Sequence, residues 1–125
     1  MLLRLVIGAQ GVFYLATGIW PLVSMSTFEL VTGPKTDDWL VQTVGVLAAV
    51  IGLSLLSGAA RARPSRESLV LAVCAALGFA AVDVVFVLDG RIRPIYLADA
   101  VVEAMFVVLV ATGVLRQGGL DSRLA

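Results

Sequence analysis

Four apolar runs dominate this chain, at about Leu5 to Val23, Trp39 to Leu56, Leu69 to Leu88 and Ile95 to Leu115. Each approaches the ~20 residues that a helix needs to cross the hydrocarbon core of a bilayer. In lipid every backbone N–H and C=O must be paired within its own segment or in a closed barrel, so runs of this length read as helices. The expected fold class is all-α: a polytopic membrane protein, one domain over residues 1–125, folded as a monomeric bundle of four transmembrane helices. Composition agrees with that class. Hydrophobic residues make up 60% and charged residues 14% of the chain, and the mean hydropathy is +1.02; soluble domains carry roughly 25% charged residues. Loops and a short tail make up the remainder, so any site must lie inside the bundle or on its loops.

The first run opens with Met-Leu-Leu-Arg, as a secretory leader would. It is too long for a typical leader core and no small-x-small cleavage site comes after it, so it is read as the first span. Cys74, the only cysteine, falls in mid-span, and the chain has no histidine. An intrachain disulfide, a cysteine-rich metal centre and histidine catalysis are thereby excluded. There is no phosphate-binding glycine loop, no nucleophile elbow and no basic aromatic surface. No catalytic residue is assigned, no metal or organic cofactor is expected, and nucleic acid is not an expected partner.

The lysines and arginines of short loops set orientation. With both termini inside, Arg4, Arg61, Arg63, Arg66, Arg116 and Arg123 fall on the cytoplasmic side, against Lys35, Arg91 and Arg93 outside. Trp20, Trp39 and Tyr96 then all sit at outer ends of spans, where amphipathic rings favour the headgroup region. Between the first two spans, Ser26-Thr27-Phe28-Glu29 has the pattern of a capping box before a short apolar segment that Gly33-Pro34 terminates. This stretch reads as a short interfacial helical turn or an irregular loop. The basic loop "SGAARARPSRES" anchors topology, with Ser65 or Ser68 available to cap the third span.

The segment from Gly33 to Val44 aligns with Gly90 to Val101: glycine, aromatic (Trp39, Tyr96), leucine (Leu40, Leu97), a polar residue (Gln42, Asp99) and valine recur at equal offsets. The two hairpins read as candidate copies of one unit, which as pairs of spans would share orientation.

Membrane helices pack through small residues and turn polar groups inward. Helical spacing lines up Gln10, Tyr14 and Thr17 on the first span, and Gln42, Gly45, Ala49 and Gly52 on the second. On the third it lines up Ala72, Ala76, Ala80 and Asp83, and on the fourth Asp99, Glu103, Phe106 and Gly113. Gly8, Gly11 and Gly18 are expected to be close-packing positions. At 1.5 Å per residue, Gln42 and Asp99 lie roughly 5 Å from the outer ends of their spans, Asp83 about 8 Å and Glu103 roughly 12 Å. Asp99 and Glu103, at i and i+4, share a helix face. Gln10 is the comparable group of the inner half and has no ionisable partner there.

An ionisable group near mid-span costs at least ~2.5–3.5 kcal/mol on insertion scales, and such groups mark functional sites by default. Three routes accommodate them. The carboxyls can be protonated; they can meet Arg91, Arg93, Lys35, Gln42 or Tyr14; or they can line a vestibule open to the outside. A purely structural alternative is that Asp83 bonds a neighbouring helix and Asp99 reaches Arg93.

"GPKTDDWLVQTVG" (Gly33 to Gly45), a third span ending in an aspartate, and "GRIRPIYLADAVVE" (Gly90 to Glu103) resemble a set of uncharacterised small four-span bacterial membrane proteins. A looser similarity is to DoxX-like and emopamil-binding-like membrane proteins. In the latter, acidic residues inside a small bundle face a cavity for sterols or cationic amphiphiles, which implies that role for Asp83, Asp99 and Glu103; the missing histidine leaves no sterol-isomerase-like site. Small multidrug transporters place their glutamate in the first span, where this chain has only Gln10. The expected function is binding of a small amphiphile or lipid in an outer-half pocket by Asp83, Asp99, Glu103, Gln42, Tyr14 and Thr17, in a bacterial inner membrane. Alternatives are a proton- or cation-coupled transporter and an assembly subunit whose acids pair with a partner's arginines. Expected partners are membrane lipids and a small amphiphilic or cationic ligand, with an oligomer or partner subunit left open.

Overall fold

The computed structural model describes residues 1–124, with side chains described for residues 1–119, so Arg123 of the charge pattern lies outside the described side chains. The described residues form five helices and no strand: α1 (Leu2–Val23), α2 (Met25–Thr32), α3 (Asp38–Ala59), α4 (Arg66–Leu88) and α5 (Tyr96–Leu124). Four of them, α1, α3, α4 and α5 over Tyr96–Gly119, are long and apolar enough to cross a membrane. The chain is a multi-pass membrane protein built as a helical bundle, as the apolar runs predict.

α4 begins ahead of its apolar run because a cap, not hydropathy, starts it. Ser65 Oγ accepts the Ser68 N–H at 3.2 Å, which starts α4 at Arg66 rather than Leu69. Asp38 and Glu67 stand in the first turns of α3 and α4, where carboxylates meet the positive end of the helix dipole. At the other end of α3, Arg4 Nε donates to the Ala59 carbonyl at 2.9 Å, a group with no partner inside its own helix.

The loop after α1 does contain a helix, α2, but its cap differs from the expected one. Ser24 Oγ accepts the Thr27 N–H at 3.4 Å and the Thr27 hydroxyl at 2.7 Å. Glu29, the expected capping-box partner of Ser26, instead accepts the Lys35 N–H at 3.3 Å. α2 stops at Gly33, whose φ of 99° suits a residue without Cβ. Trp20 fastens α2 to α1: its Nε1 donates to Thr27 Oγ1 at 2.9 Å, and its ring stands edge-on to Phe28 at 5.3 Å between centroids.

α1 packs along α3 and α4 along α5, so the bundle is two antiparallel pairs; α1 also meets α5, while α3 and α4 touch only sparingly. The α1–α3 seam is made of glycines. Gly18 faces Gly45 and Gly11 faces Gly52, so that a Cβ on Gly18 would stand 2.5 Å from the Gly45 carbonyl and 2.7 Å from the Ala49 nitrogen. A Cβ on Gly52 would stand 2.6 Å from the Gly11 carbonyl. Both pairs are seven residues apart, about two helical turns, so they lie on one line. Gly8 is different, with a Cβ there only in ordinary contact with Ala59 at 3.6 Å. Beyond the seam, toward the α3–α4 loop, Leu3, Val6, Ile7, Leu55 and Val110 close the bundle.

Gly18→Ala or Gly45→Ala should destabilise the protein by about 1–3 kcal/mol through overpacking. Gly78, whose Cβ position is open, should tolerate alanine and gain up to about 1 kcal/mol in helix propensity. Detergent-titrated unfolding of the three variants checks both signs.

Candidate functional site

α3 commits Gly45 and Gly52 to α1, and the two helix pairs do not close on each other at the α2 end. An open cavity of about 790 Å³ lies between them there. α1 contributes Phe13, Tyr14 and Thr17, α3 contributes Val41 and Val44, α4 contributes Phe79 and Asp83, and α5 contributes Tyr96, Asp99, Val102 and Glu103. Phe28, Val31 and Thr32 of α2 close it over from its own end.

The wall is mostly apolar and aromatic; its three carboxyl groups all stand on the side of α4 and α5, while Thr17, Thr32 and Lys35 line it elsewhere. Asp83 is 5% exposed and Glu103 1%, while Asp99 is half-buried. Asp99 and Glu103 succeed each other along α5, and Asp83 adjoins Asp99 across the α4–α5 seam. Glu103 is held from α1, where the Tyr14 hydroxyl donates to its Oε2 at 2.5 Å, a length typical of a hydroxyl bonded to a carboxylate. Gln10 Nε2 donates to the Tyr14 oxygen at 3.1 Å and to the Ala72 carbonyl on α4 at 2.9 Å. The Tyr14 ring is fixed edge-on by Phe79 and Phe106, at 5.2 and 6.5 Å between centroids. One buried chain, Glu103–Tyr14–Gln10–Ala72, thus ties α5 and α4 to α1.

No family model, curated protein or solved structure matches this chain. Its site therefore rests on its own geometry.

Two buried oxygens, Asp83 Oδ2 and Gln10 Oε1, have no hydrogen-bond partner among the described residues. Of the cations that could have met the acids, Lys35 lines the cavity, whereas Arg91 and Arg93 do not. Arg91 pairs with exposed Asp89 at 3.0 Å, and Arg93 lies against Gly33. Lys35 Nζ donates to the Thr32 carbonyl at 3.1 Å and stands over the rings of Phe28 and Tyr96, at 5.9 and 5.2 Å. Among the described residues no lysine or arginine forms an ion pair with Asp83, Asp99 or Glu103, and no group of three potential ligand side chains could hold a metal ion.

Of the six expected site residues, Asp83, Asp99, Glu103, Tyr14 and Thr17 come together on this wall. Gln42 does not: it is exposed and absent from the cavity. The buried face of α3, Gly45, Ala48, Gly52 and Leu55, is centred roughly a quarter turn away from it. Its alignment with Asp99 therefore does not extend to a shared direction. Gln10, expected to stand without an ionisable partner, reaches Glu103 through Tyr14, and its i, i+4 spacing to Tyr14 is the signal that carried this. Lys35, one of the cations expected to meet the acids, lines the cavity without forming an ion pair with them; Phe79 had no comparable signal in the sequence, because only the crossing of helices brings it to the site.

Removing the Tyr14 hydroxyl leaves Glu103 buried without its donor, at a cost of about 1–3 kcal/mol. Tyr14→Phe should lose stability by that amount. Tyr14→Phe combined with Glu103→Gln should be non-additive by about 0.5–3 kcal/mol in a double-mutant cycle of unfolding measurements.

Proposed function

We propose that this protein holds a small amphiphile or lipid within the bilayer, in the cavity between its two helix pairs. One observation carries the reading: an open cavity large enough for a ligand-sized molecule is apolar over most of its wall and bears three carboxyl groups on one side. A polar head would meet Asp83, Asp99 and Glu103, and an apolar tail would run along Phe13, Val44 and Phe79. The sparse contact between α3 and α4 offers lateral access from the lipid. The membrane is the cytoplasmic membrane of a bacterium, with both termini inside and α2 on the outer face, as the arginine distribution favours.

A proton- or cation-coupled transporter would need polar groups to continue toward the opposite face. Below Gln10, the chain's last polar member, Ile7, Leu55 and Val110 fill the core, which supports binding over translocation. An assembly subunit would need a partner helix to reach acids that lie inside the bundle, which the burial of Asp83 and Glu103 disfavours.

Trp20 lines the cavity, whereas Trp39 is 66% exposed and does not. In a Trp39→Phe background reconstituted in neutral nanodiscs, bromoundecanol should quench Trp20 saturably. Filling the cavity with Val44→Phe and Val102→Phe should abolish the saturable component, and quenching unchanged by this filling would sink the binding reading. For orientation, in a Cys74→Ala background, Thr36→Cys should react with an impermeant maleimide in intact cells and Ala62→Cys only after lysis.

A further inference from the structure

At the end of the bundle opposite α2, a second cavity of about 290 Å³ opens between the last turns of α3 and the start of α4. Its lining is polar on both sides: Ser54 and Ser57 from α3, Arg61 from the connecting loop, and Ser65, Glu67 and Ser68 from the start of α4. The serines of each pair are three residues apart, a spacing that makes neighbours on a helix surface. Gly58 lets α4 come close, because a Cβ there would collide with Ser68 Oγ. A basic loop sets topology with arginines that need only face water. Four hydroxyls gathered at the facing ends of two membrane helices are a separate feature.

Threonines inside the helices turn their hydroxyls onto their own backbone: Thr17, Thr43 and Thr112 donate to the carbonyls four residues back, at 2.8, 2.7 and 2.8 Å. Ser54 and Ser57 do not. Both lie within α3, yet neither hydroxyl has a hydrogen-bond partner among the described residues. Ser65 Oγ donates to Ser68 Oγ at 3.2 Å and accepts the Ser68 N–H, which leaves the Ser68 hydroxyl proton uncommitted. The Arg61 guanidinium forms no ion pair among the described residues. The one carboxylate of the cavity, Glu67, adjoins Ser65 and sets a single negative charge against Arg61 and the neighbouring Arg66. Three hydroxyl donors and a guanidinium fork are thus left to an incoming acceptor.

We propose that this cavity binds a phosphate group, whose oxygens accept from Arg61 and from the hydroxyls of Ser54, Ser57 and Ser68. Phosphate fits this set better than a carboxylate does, because it can take the planar fork bidentately and still present oxygens to the serines. The cavity lies where two spans end, at the level of the headgroups, so the group can come from a phospholipid of that leaflet or from a phosphorylated solute. This site is separate from the acid-bearing cavity and stands whether or not that cavity holds an amphiphile.

The test is lipid binding to the full-length protein in dodecyl maltoside, counted by native mass spectrometry with dioleoyl phosphatidate and with dioleoylglycerol, which has the same chains and no phosphate. The first phosphatidate should bind at least about tenfold more tightly than dioleoylglycerol. Arg61→Gln should bring the two lipids within about twofold, and Ser54→Ala combined with Ser57→Ala should remove most of the difference while keeping every charge. Arg116→Gln, which removes an arginine outside this cavity, should leave the preference intact. Displacement of phosphatidate by excess inorganic phosphate would assign the site to soluble phosphates, and retention of the lipid would assign it to the membrane. Equal binding of the two lipids would overturn the proposal. So would a preference that survives both the arginine and the serine variants, or one lost equally in Arg116→Gln, which would make it a property of the basic face as a whole.

Discussion

Everything in this bundle depends on how closely α1 can approach α3. Lipid tails are as apolar as the side chains they contact, so helices in a bilayer gain little from burying leucine, and association relies on close packing and hydrogen bonds. Gly11, Gly18, Gly45 and Gly52 let the two backbones meet with carbonyls where side chains would otherwise stand. The cost falls on the other side of α3: with its small-residue face committed to α1, that helix presents Val41 and Val44 to α4 and α5 across a cavity rather than across a packed interface. The seam that holds one pair together thus determines where the bundle stays open.

The second pair is joined to the first through polar atoms as well as through packing. Glu103, Tyr14, Gln10 and the Ala72 carbonyl form a chain across three helices in surroundings where each unpaired group is expensive. Ring contacts from Phe79 and Phe106 hold Tyr14 in the orientation the chain requires. Within this arrangement Glu103 is the acid bonded to α1, while Asp83 and Asp99 meet each other across the α4–α5 seam. Glu103 is anchored by a tyrosine, Asp99 is half-exposed to the cavity, and Asp83 keeps one oxygen unmatched. The acids divide into one bonded to α1 and a pair at the α4–α5 seam.

Much of the candidate site was legible along the chain. Asp99 and Glu103 share a helical face by their spacing alone, and Asp83 ends the small-residue stripe of Ala72 and Ala76 that faces the core. Tyr14 and Thr17 belong to the polar face of α1. Gln42 went astray because a polar residue near the end of a span can face the headgroup region as readily as the interior, and glycine and alanine positions on α3 outweighed it in packing. The cap of α2 moved from Ser26 to Ser24 because serines two residues apart are equally suited to cap, and Trp20, bonded to Thr27, fixes where that helix meets α1.

The sequence by itself determined that this protein is helical and spans a membrane four times, because apolar runs of that length permit no other way of pairing the backbone in lipid. It also determined which helix carries each acid and at what depth, since rise per residue is constant. Only the tertiary structure decided that α1 pairs with α3 and α4 with α5, that Gln10 reaches Glu103 through Tyr14, and that the arginines near the acids turn elsewhere. Those outcomes depend on crossing geometry and on competition among partners within a few ångströms, quantities that no periodicity along a single helix contains.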